Sequence, residues 1–204
     1  YLNNTISIRL GLIMMTIAPL TVSSINMVRS KLIQELQHTI AHDELTSSLT
    51  RRQFLQSVQL LQHQASNASQ TTAFLMLDID HFKQVNDNYG HQAGDLALQS
   101  CVQNIQALLA PNDLLGRLGG EEFAIFIADT NPEVVYQCAE RIRQQVSNTP
   151  IQLDKKQQFS IQLSIGICIC TPENQHSIEQ LFKQADDALY QAKRQGRNQV
   201  VFST

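Results

Sequence analysis

The longest hydrophobic run in the chain lies near its N-terminus. Residues 10–28 carry no charged side chain, and as a helix they would extend about 28 Å, roughly the hydrocarbon thickness of a bilayer. We expect the end of a membrane-spanning region here, because the run lacks the polar face of a helix in a soluble domain and the cleavage-like ending of a signal peptide. Arg9 before the run, and Arg29 and Lys31 after it, favour a cytoplasmic location for the C-terminal side of the run.

Apolar residues recur at every fourth position beyond this run. They are Val28, Leu32, Leu36 and Ile40. This spacing predicts a linker helix over residues 29–42, whose apolar stripe either starts a parallel coiled coil or packs on its own domain. Because the chain begins with Tyr1 and not with Met, we expect it to be a piece of a longer protein.

The remaining residues alternate between the patterns of helices and strands. Helical patterns cover residues 51–61, 91–109, 132–146 and 178–195, and strand patterns cover residues 73–79, 113–118, 122–128, 160–170 and 200–202. The polar stretch 63–72 predicts a loop, and Gly119-Gly120 predicts a tight hairpin turn. This order of elements predicts an α/β (α+β) domain with a mixed, mostly antiparallel sheet flanked by helices.

Composition narrows the class of protein. Hydrophobic residues make up 43% of the chain and charged residues 16%, which supports a folded core and argues against bulk disorder. A net charge of -3 without a long basic run argues against a nucleic-acid-binding protein. The 4 cysteines form no C-x-x-C pair, and Cys168 and Cys170 would share one strand face, which predicts buried free thiols in a reducing compartment.

Acidic residues cluster at two predicted strand ends. Asp78 and Asp80 end the apolar strand, where we expect the strand to meet water, and Glu121 and Glu122 follow the glycine turn. Any one of them, taken alone, could be an ordinary acidic residue at a strand end with no functional role. If the two strands are neighbours, however, Asp78 and Glu121 converge at one rim and offer the oxygen ligands that Mg²⁺ prefers.

The segment after this strand contains groups that suit a guanine nucleotide. A carboxylate at Asp95 can accept hydrogen bonds from the N1–H and N2–H₂ groups of guanine, and the Asn86 amide can complete a pattern that adenine does not present. Lys83 suits a triphosphate, with the backbone amides of His81 and Phe82 as further donors, although a lone lysine is commonly a solvated surface residue.

Two cations lie near the end of the last predicted helix. Lys193 and Arg197 flank Gly196. They either interact with the helix dipole as ordinary last-turn cations or hold phosphates.

Several ordered motifs resemble the GGDEF family of diguanylate cyclases, in its GGEEF form. They are DIDHFKQVND from Asp78, YGHQAGD from Tyr89, RLGGEEF from Arg117, LSIG from Leu163 and ADDALYQAKRQGRN from Ala185. The resemblance covers about residues 43–202. It implies a palm-like fold shared with nucleotidyl cyclases and polymerases, and the condensation of two GTP into cyclic di-GMP and two pyrophosphates across a homodimer.

The resemblance also implies roles for the candidate residues. Asp78, Glu121 and the backbone carbonyl of Ile79 would bind two Mg²⁺ per active site, and Mn²⁺ is expected to substitute. The implied substrate-binding residues are Asn86 and Asp95 for guanine, and His81, Phe82, Lys83, Lys193 and Arg197 for phosphates. The implied catalytic residues are Glu121, as acceptor of the 3′-OH proton, Glu122 in a supporting role, and Lys83.

The chain departs from the family pattern in two places. Ser47, Ser48 and Thr50 replace Gly, Leu and Asn in the opening motif, which concerns the hinge into the domain. The inhibitory Arg-x-x-Asp motif reads Ala-Pro-Asn-Asp at residues 110–113, and without its guanidinium we expect weak or no product inhibition there.

The hydrophobic run, the helical spacing after it and the family resemblance together predict a division of the chain into three parts. Residues 1–28 would end a transmembrane region in the inner (cytoplasmic) membrane of a bacterium, 29–42 would form a signalling helix, and 43–204 would be the catalytic domain in the cytoplasm. The main alternative is a catalytically silent domain that binds GTP or a protein partner. An adenylate-type cyclase is a further alternative, but it would not need Asn86 with Asp95.

Overall fold

The computed structural model describes Met27, residues 41–174 and residues 176–203. Apart from Met27, the predicted membrane segment therefore lies outside the described residues, and so does the predicted linker helix up to residue 40. Within those residues, no helix combines the length and apolar character needed to cross a membrane. Ala41–Thr204 form one compact unit, and the predicted domain boundary at residue 43 stays a prediction.

A 6-stranded sheet lies at the centre of this unit, in the order β1-β3-β4-β2-β7-β8. The strands are β1 (Leu49–Thr50), β2 (Thr72–Asp80), β3 (Leu114–Gly119), β4 (Glu122–Ile127), β5 (Ile151–Gln152), β6 (Gln158–Phe159), β7 (Gln162–Cys170) and β8 (Val200–Phe202). The inner pairs β3–β4, β4–β2 and β2–β7 are antiparallel, and the outer pairs β1–β3 and β7–β8 are parallel. The prediction of a mostly antiparallel sheet is confirmed, whereas the separate β5–β6 hairpin was not predicted.

Helices cover both faces of the sheet. They are α1 (Arg51–Asn67), α2 (Phe82–Tyr89), α3 (His91–Gln106), α4 (Pro132–Asn148) and α5 (Ile178–Arg194). Alternate side chains of β2 enter two cores: Leu75 and Leu77 pack with residues of α3 and α4, and Phe74 and Met76 pack with residues of α1 and α5. Strand β2 is therefore buried on both faces, as its apolar run predicts.

Helix α1 extends further than predicted. It continues to Asn67, although stretch 63–72 was predicted to be a loop. Phe54, Val58 and Ala65 are buried at helical spacing, so the polar residues between them lie on the outer face of the helix. The prediction was wrong because high polarity on one face resembles a loop when the buried positions are few.

The hairpin turn also differs from the prediction by one residue. Strand β3 includes Gly119, and β4 begins at Glu122 opposite it, so Gly120 and Glu121 form the turn. Gly120 has a φ of 52°, a left-handed conformation that glycine adopts without steric strain. As a result Glu121 lies in the turn itself and not in a strand.

Helix α5 approaches strand β7 closely at Gly166. A Cβ atom on Gly166 would lie 2.2 Å from both the Ala185 carbonyl oxygen and the Leu189 backbone nitrogen. Only glycine permits this approach, because the opposing atoms are backbone atoms that cannot rotate away. The close packing fixes the distance between the middle of α5 and the sheet.

Candidate active site

The C-terminal end of β2 carries two buried carboxylates. Asp78 and Asp80 lie on the same strand face, and their residues are 6% and 5% exposed, although they were expected to meet water. The reason is that β2 lies between β4 and β7, with Asp78 opposite both Glu122 and Ser164. The predicted proximity of the β2 end and the glycine turn is therefore observed.

Asp78 lies between positive and negative groups. Lys193 Nζ, at the end of α5, is 2.8 Å from Asp78 Oδ2. Burial raises the pKa of Asp78, and the negative charges of Glu121 and Glu122 raise it further, while the Lys193 ammonium lowers it. This concentration of negative charge is a site at which a cation is favoured.

Backbone and side-chain hydrogen bonds hold the turn over the end of β2. The Ile79 N–H donates to the Glu121 carbonyl at 3.4 Å. The Arg117 guanidinium donates to the Gly120 carbonyl, with Nη2 at 2.8 Å and Nε at 3.0 Å. The turn thereby places Glu121, which is half-buried, beside the strand that carries Asp78.

Arg117 also binds the segment that enters the domain. Its Nη1 donates to Asp43 Oδ1 at 3.0 Å, and Asp43 Oδ1 also accepts from the Thr46 backbone N–H and hydroxyl. Burial would raise the pKa of Asp43, but these hydrogen bonds hold that pKa below its usual value. No role was predicted for Asp43 or Arg117, although both lie inside sequence motifs that resemble those of the family.

Helices α2 and α3 bring the two predicted guanine-binding residues close together. A Cβ atom on Gly94 would lie 2.1 Å from Asn86 Oδ1, so the Asn86 side chain packs directly on the backbone that precedes Asp95. Asn86 is half-buried and Asp95 is exposed. The absence of a side chain at Gly94 thus leaves the space that Asn86 occupies.

The N-terminus of α2 follows Asp80 directly and offers backbone donors. His81 precedes the helix with φ 58° and ψ 28°, a left-handed conformation. The first amides of a helix, here at Phe82 and Lys83, have no acceptor within the helix and favour anions. The Lys83 side chain is exposed at this helix start.

The predicted metal ligands have the chemistry of a site for a hard divalent cation. Across residues 41–174 and 176–203, no three His, Cys, Asp or Glu side chains form a metal-binding group. The predicted set is of another kind, with two carboxylates, Asp78 and Glu121, and the Ile79 carbonyl. All are oxygen donors, which suit Mg²⁺ or Mn²⁺, and the carboxylates of Glu121 and Glu122 beside Asp78 carry negative charge that such a cation would neutralise.

Comparison with known proteins identifies the family. A family model described as "Diguanylate cyclase, GGDEF domain" matches residues 40–199. The chain belongs to the GGDEF family. This GGDEF protein is similar to diguanylate cyclase DgcM of Escherichia coli K12, with 36% identity over 173 residues that cover 85% of this chain and 41% of DgcM. The chain therefore spans about two fifths of that relative's length.

Solved structures of GGDEF proteins share the fold. The coiled coil and GGDEF domain of DgcB from Caulobacter crescentus, in complex with c-di-GMP, matches with a TM-score of 0.84 and 30% identity over 91% of this chain and 97% of that one. The active GGEEF domain of a Vibrio cholerae diguanylate cyclase matches with a TM-score of 0.71 and 32% identity over 76% and 97%. Other relatives are described as uncharacterized membrane proteins.

Proposed function

We propose that this GGDEF domain is a diguanylate cyclase that condenses two GTP into cyclic di-GMP and two pyrophosphates. The observation that carries the proposal is the position of Asp78, which lies beside the Glu121–Glu122 turn and within 2.8 Å of Lys193. Carboxylates for cations and a cation for phosphates thereby meet at one end of the sheet. Family membership and the relatives named as diguanylate cyclases support the same activity.

Asp78, Glu121 and the Ile79 carbonyl are the residues that would hold the divalent cations. We take these to be two Mg²⁺ ions per site, which Mn²⁺ can replace. When bound, the ions would favour the 3′-alkoxide and would stabilise negative charge on the α-phosphate. Glu121 accepts the proton of the 3′-OH, and exposed Glu122 supports it by hydrogen bonding or by its charge.

The chain's own cations and amides orient the triphosphate. Lys83 and the amides of His81 and Phe82 bind phosphate oxygens at the start of α2. Lys193 and Arg197 do so from the end of α5. Lys193 Nζ lies 2.8 Å from Asp78 Oδ2, so its ammonium is already at the end of the sheet where the phosphates would bind.

Asn86 and Asp95 select guanine. The Asp95 carboxylate accepts from guanine N1–H and N2–H₂, and the Asn86 amide, held against Gly94, completes the pattern. Adenine has an acceptor at N1 and no amino group at C2, so it would leave these groups unpaired. GTP is therefore the proposed substrate in preference to ATP.

The reaction requires a homodimer in this proposal, because each subunit holds one GTP and two subunits must face each other. We further propose membrane anchoring through the N-terminal segment, with the catalytic domain in the cytoplasm. The membrane proteins among the relatives support this arrangement. Anchoring would raise the effective concentration of one subunit around another.

Product inhibition at the Arg-x-x-Asp site is expected to be weak or absent. Ala110 stands where the motif has arginine, and the Asp113 carboxylate accepts the Ala110 backbone N–H at 2.8 Å. The Asp113 carboxylate thus binds the backbone of its own turn, and the motif has no arginine side chain that could act with it. Micromolar inhibition by cyclic di-GMP that Asp113→Ala abolishes would contradict this expectation.

The proposed activity is tested by product analysis of the full chain, purified in detergent and incubated with GTP and Mg²⁺. Glu121→Gln keeps the shape of the side chain and removes its charge, and Glu173→Gln makes the same change at an exposed residue beyond the far end of β7. We expect cyclic di-GMP from the parent and from Glu173→Gln, and none from Glu121→Gln. GTP binding without turnover, even with a fused dimerising partner, would instead identify a silent domain, and equal turnover of ATP an adenylate-type enzyme.

A further inference from the structure

Asp80 is a fully buried carboxylate that the proposed mechanism does not use. Its side chain is 0% exposed. The Ser164 hydroxyl lies 2.8 and 3.0 Å from its two oxygens, and the Asn198 backbone N–H donates to Oδ2 at 2.9 Å. A buried carboxylate is tolerated only when hydrogen-bond donors satisfy it. These hydrogen bonds are therefore needed for Asp80 to remain buried in the folded chain.

The segment that Asp80 binds has an unfavourable backbone conformation. Gly196, Arg197 and Asn198 follow helix α5 with φ values of 119°, 64° and 45°. Arg197 and Asn198 are consecutive non-glycine residues in the left-handed region, a conformation that persists only where the surroundings enforce it. The Arg197 N–H also donates to the Ala192 carbonyl at 3.0 Å, which closes the last turn of α5.

A second bond holds the same segment from helix α4. Arg143 Nη1 donates to Asn198 Oδ1 at 2.7 Å, while the rest of the guanidinium binds Glu140. The backbone of Asn198 is therefore fixed by β2 and its side chain by α4. Arg197, between Gly196 and Asn198, remains 42% exposed in its side chain, with Nε 4.0 Å from Asp80 Oδ1.

We propose that Asp80 is a positioning residue, which fixes residues 196–198 so that Arg197 faces the phosphates of GTP. The inference rests on the proposed function, in which Arg197 binds phosphate. Asp78 and Asp80 then have different roles at the same end of β2. Asp78 faces the cations, whereas the oxygens of Asp80 hold residues 196–198, the loop that carries Arg197. Ser164, opposite Asp78 on β7, orients the Asp80 carboxylate.

Kinetics of the full chain test this role with graded variants. Asp80→Ala removes both bonds, whereas Asp80→Asn keeps an oxygen for the Asn198 N–H and an amide for the Ser164 hydroxyl but loses the charge near Arg197. We expect about a tenfold rise in the KM for GTP in Asp80→Ala, a smaller rise in Asp80→Asn, and little change in kcat. Asp187→Asn, the same change at an exposed residue of α5, should match the parent.

A double-mutant cycle separates positioning from a general structural role. If Asp80 acts through Arg197, the rise in KM caused by Asp80→Asn should largely disappear in an Arg197→Ala background. Additive effects of the two substitutions would overturn the proposal, and so would a KM in Asp80→Asn and Asp80→Ala equal to that of the parent. Should Asp80→Ala fail to fold, Asp80→Asn alone supplies the cycle.

Amide hydrogen exchange provides a readout that does not depend on turnover. In Asp80→Ala, or in Ser164→Ala if the former does not fold, the Asn198 amide should exchange at least about tenfold faster, while amides in the middle of α5 keep their parent rates. Unchanged exchange at Asn198 in Asp80→Ala would overturn the role of Asp80 in holding the loop, and unchanged exchange in Ser164→Ala would overturn the orienting role of Ser164. A parent that neither binds nor converts GTP would overturn the proposed function and with it the phosphate role of Arg197, but exchange would still decide whether Asp80 holds the loop.

Discussion

Gly94→Ala should separate guanine recognition from the stability of the domain. The new Cβ would lie 2.1 Å from Asn86 Oδ1 and 3.0 Å from Asn86 Cγ, so the Asn86 side chain must rotate away. These Asn86 atoms are at the end of a side chain, and Phe82 Cζ, which the Cβ would meet at 3.2 Å, must also move by a few tenths of an ångström. The substitution therefore acts mainly on Asn86, with a small shift of the Phe82 ring.

The expected magnitudes follow from this geometry. Alanine in the interior of α3 gains about 0.5–1 kcal/mol over glycine in helix propensity, which offsets the displacement of Asn86 in the free energy of unfolding. Loss of one hydrogen bond to guanine costs about 1 kcal/mol, so kcat/KM for GTP should fall by about fivefold to tenfold. The Tm should move by less than about 4 °C, since 1 kcal/mol shifts a domain of this size by that amount or less.

The assay compares kcat/KM for GTP and thermal unfolding in Gly94→Ala, Asn86→Ala and the double variant. Because Gly94→Ala acts by displacing Asn86, the double variant should be no worse than Asn86→Ala. Gln92→Ala, at an exposed position in the first turn of α3, controls for a new alanine in this helix. Normal GTP turnover in Gly94→Ala together with impaired turnover in Asn86→Ala would refute the reasoning, because Asn86 would then keep its position beside a Cβ.

Three further substitutions test other parts of the structure. Gly166→Ala should lower the free energy of unfolding by about 3 kcal/mol in urea denaturation, because its Cβ would meet the backbone of α5 at 2.2 Å; a change below about 0.5 kcal/mol would show that α5 can move away. Asp43 has a lowered pKa, so its stabilising contribution is present above its unfolded value of 3.8 and is lost as pH falls through the folded value. The stability difference between the parent and Asp43→Asn should therefore shrink below pH 3.8, and a difference that stays constant down to pH 2 would count against the Arg117 pairing. Mg²⁺ at about 100 times its Kd should stabilise the parent by about 2.7 kcal/mol and leave Asp78→Asn unaffected, whereas equal stabilisation of both would place the ion elsewhere.

The sheet and its flanking helices could be predicted because their patterns are local. The apolar run of β2 and the alternation in β7 identify strands that are 9 residues long. Strands β5 and β6 have 2 residues each, too few to show a period. Helix α1 was predicted too short because its last turns bury only Ala65.

The sequence was enough to predict which residues form the candidate site, but not which hydrogen bonds they make. Asp78 and the glycine turn meet because β2 pairs with β4. The apolar character of both strands suggests that they are neighbours in the sheet. The hydrogen-bond partners of Asp80, in contrast, are Ser164 and Asn198. Asn198 lies 118 residues after Asp80 in the chain. No periodicity relates such positions, so only the folded chain reveals that Asp80 binds the loop after α5.

The proposed cation ligand at Ile79 is a backbone atom, and this has an evolutionary consequence. Ile79 is 1% exposed as a residue and belongs to the core that β2 forms with α3 and α4. A point mutation cannot delete a carbonyl oxygen, and a bulky change of the side chain would threaten folding before it displaced that oxygen. Loss of activity without loss of the fold should therefore begin at Asp78 or Glu121, whose side chains can change while the strand keeps its path. A related protein that had lost turnover but still bound GTP would therefore keep the Ile79 carbonyl at the same position.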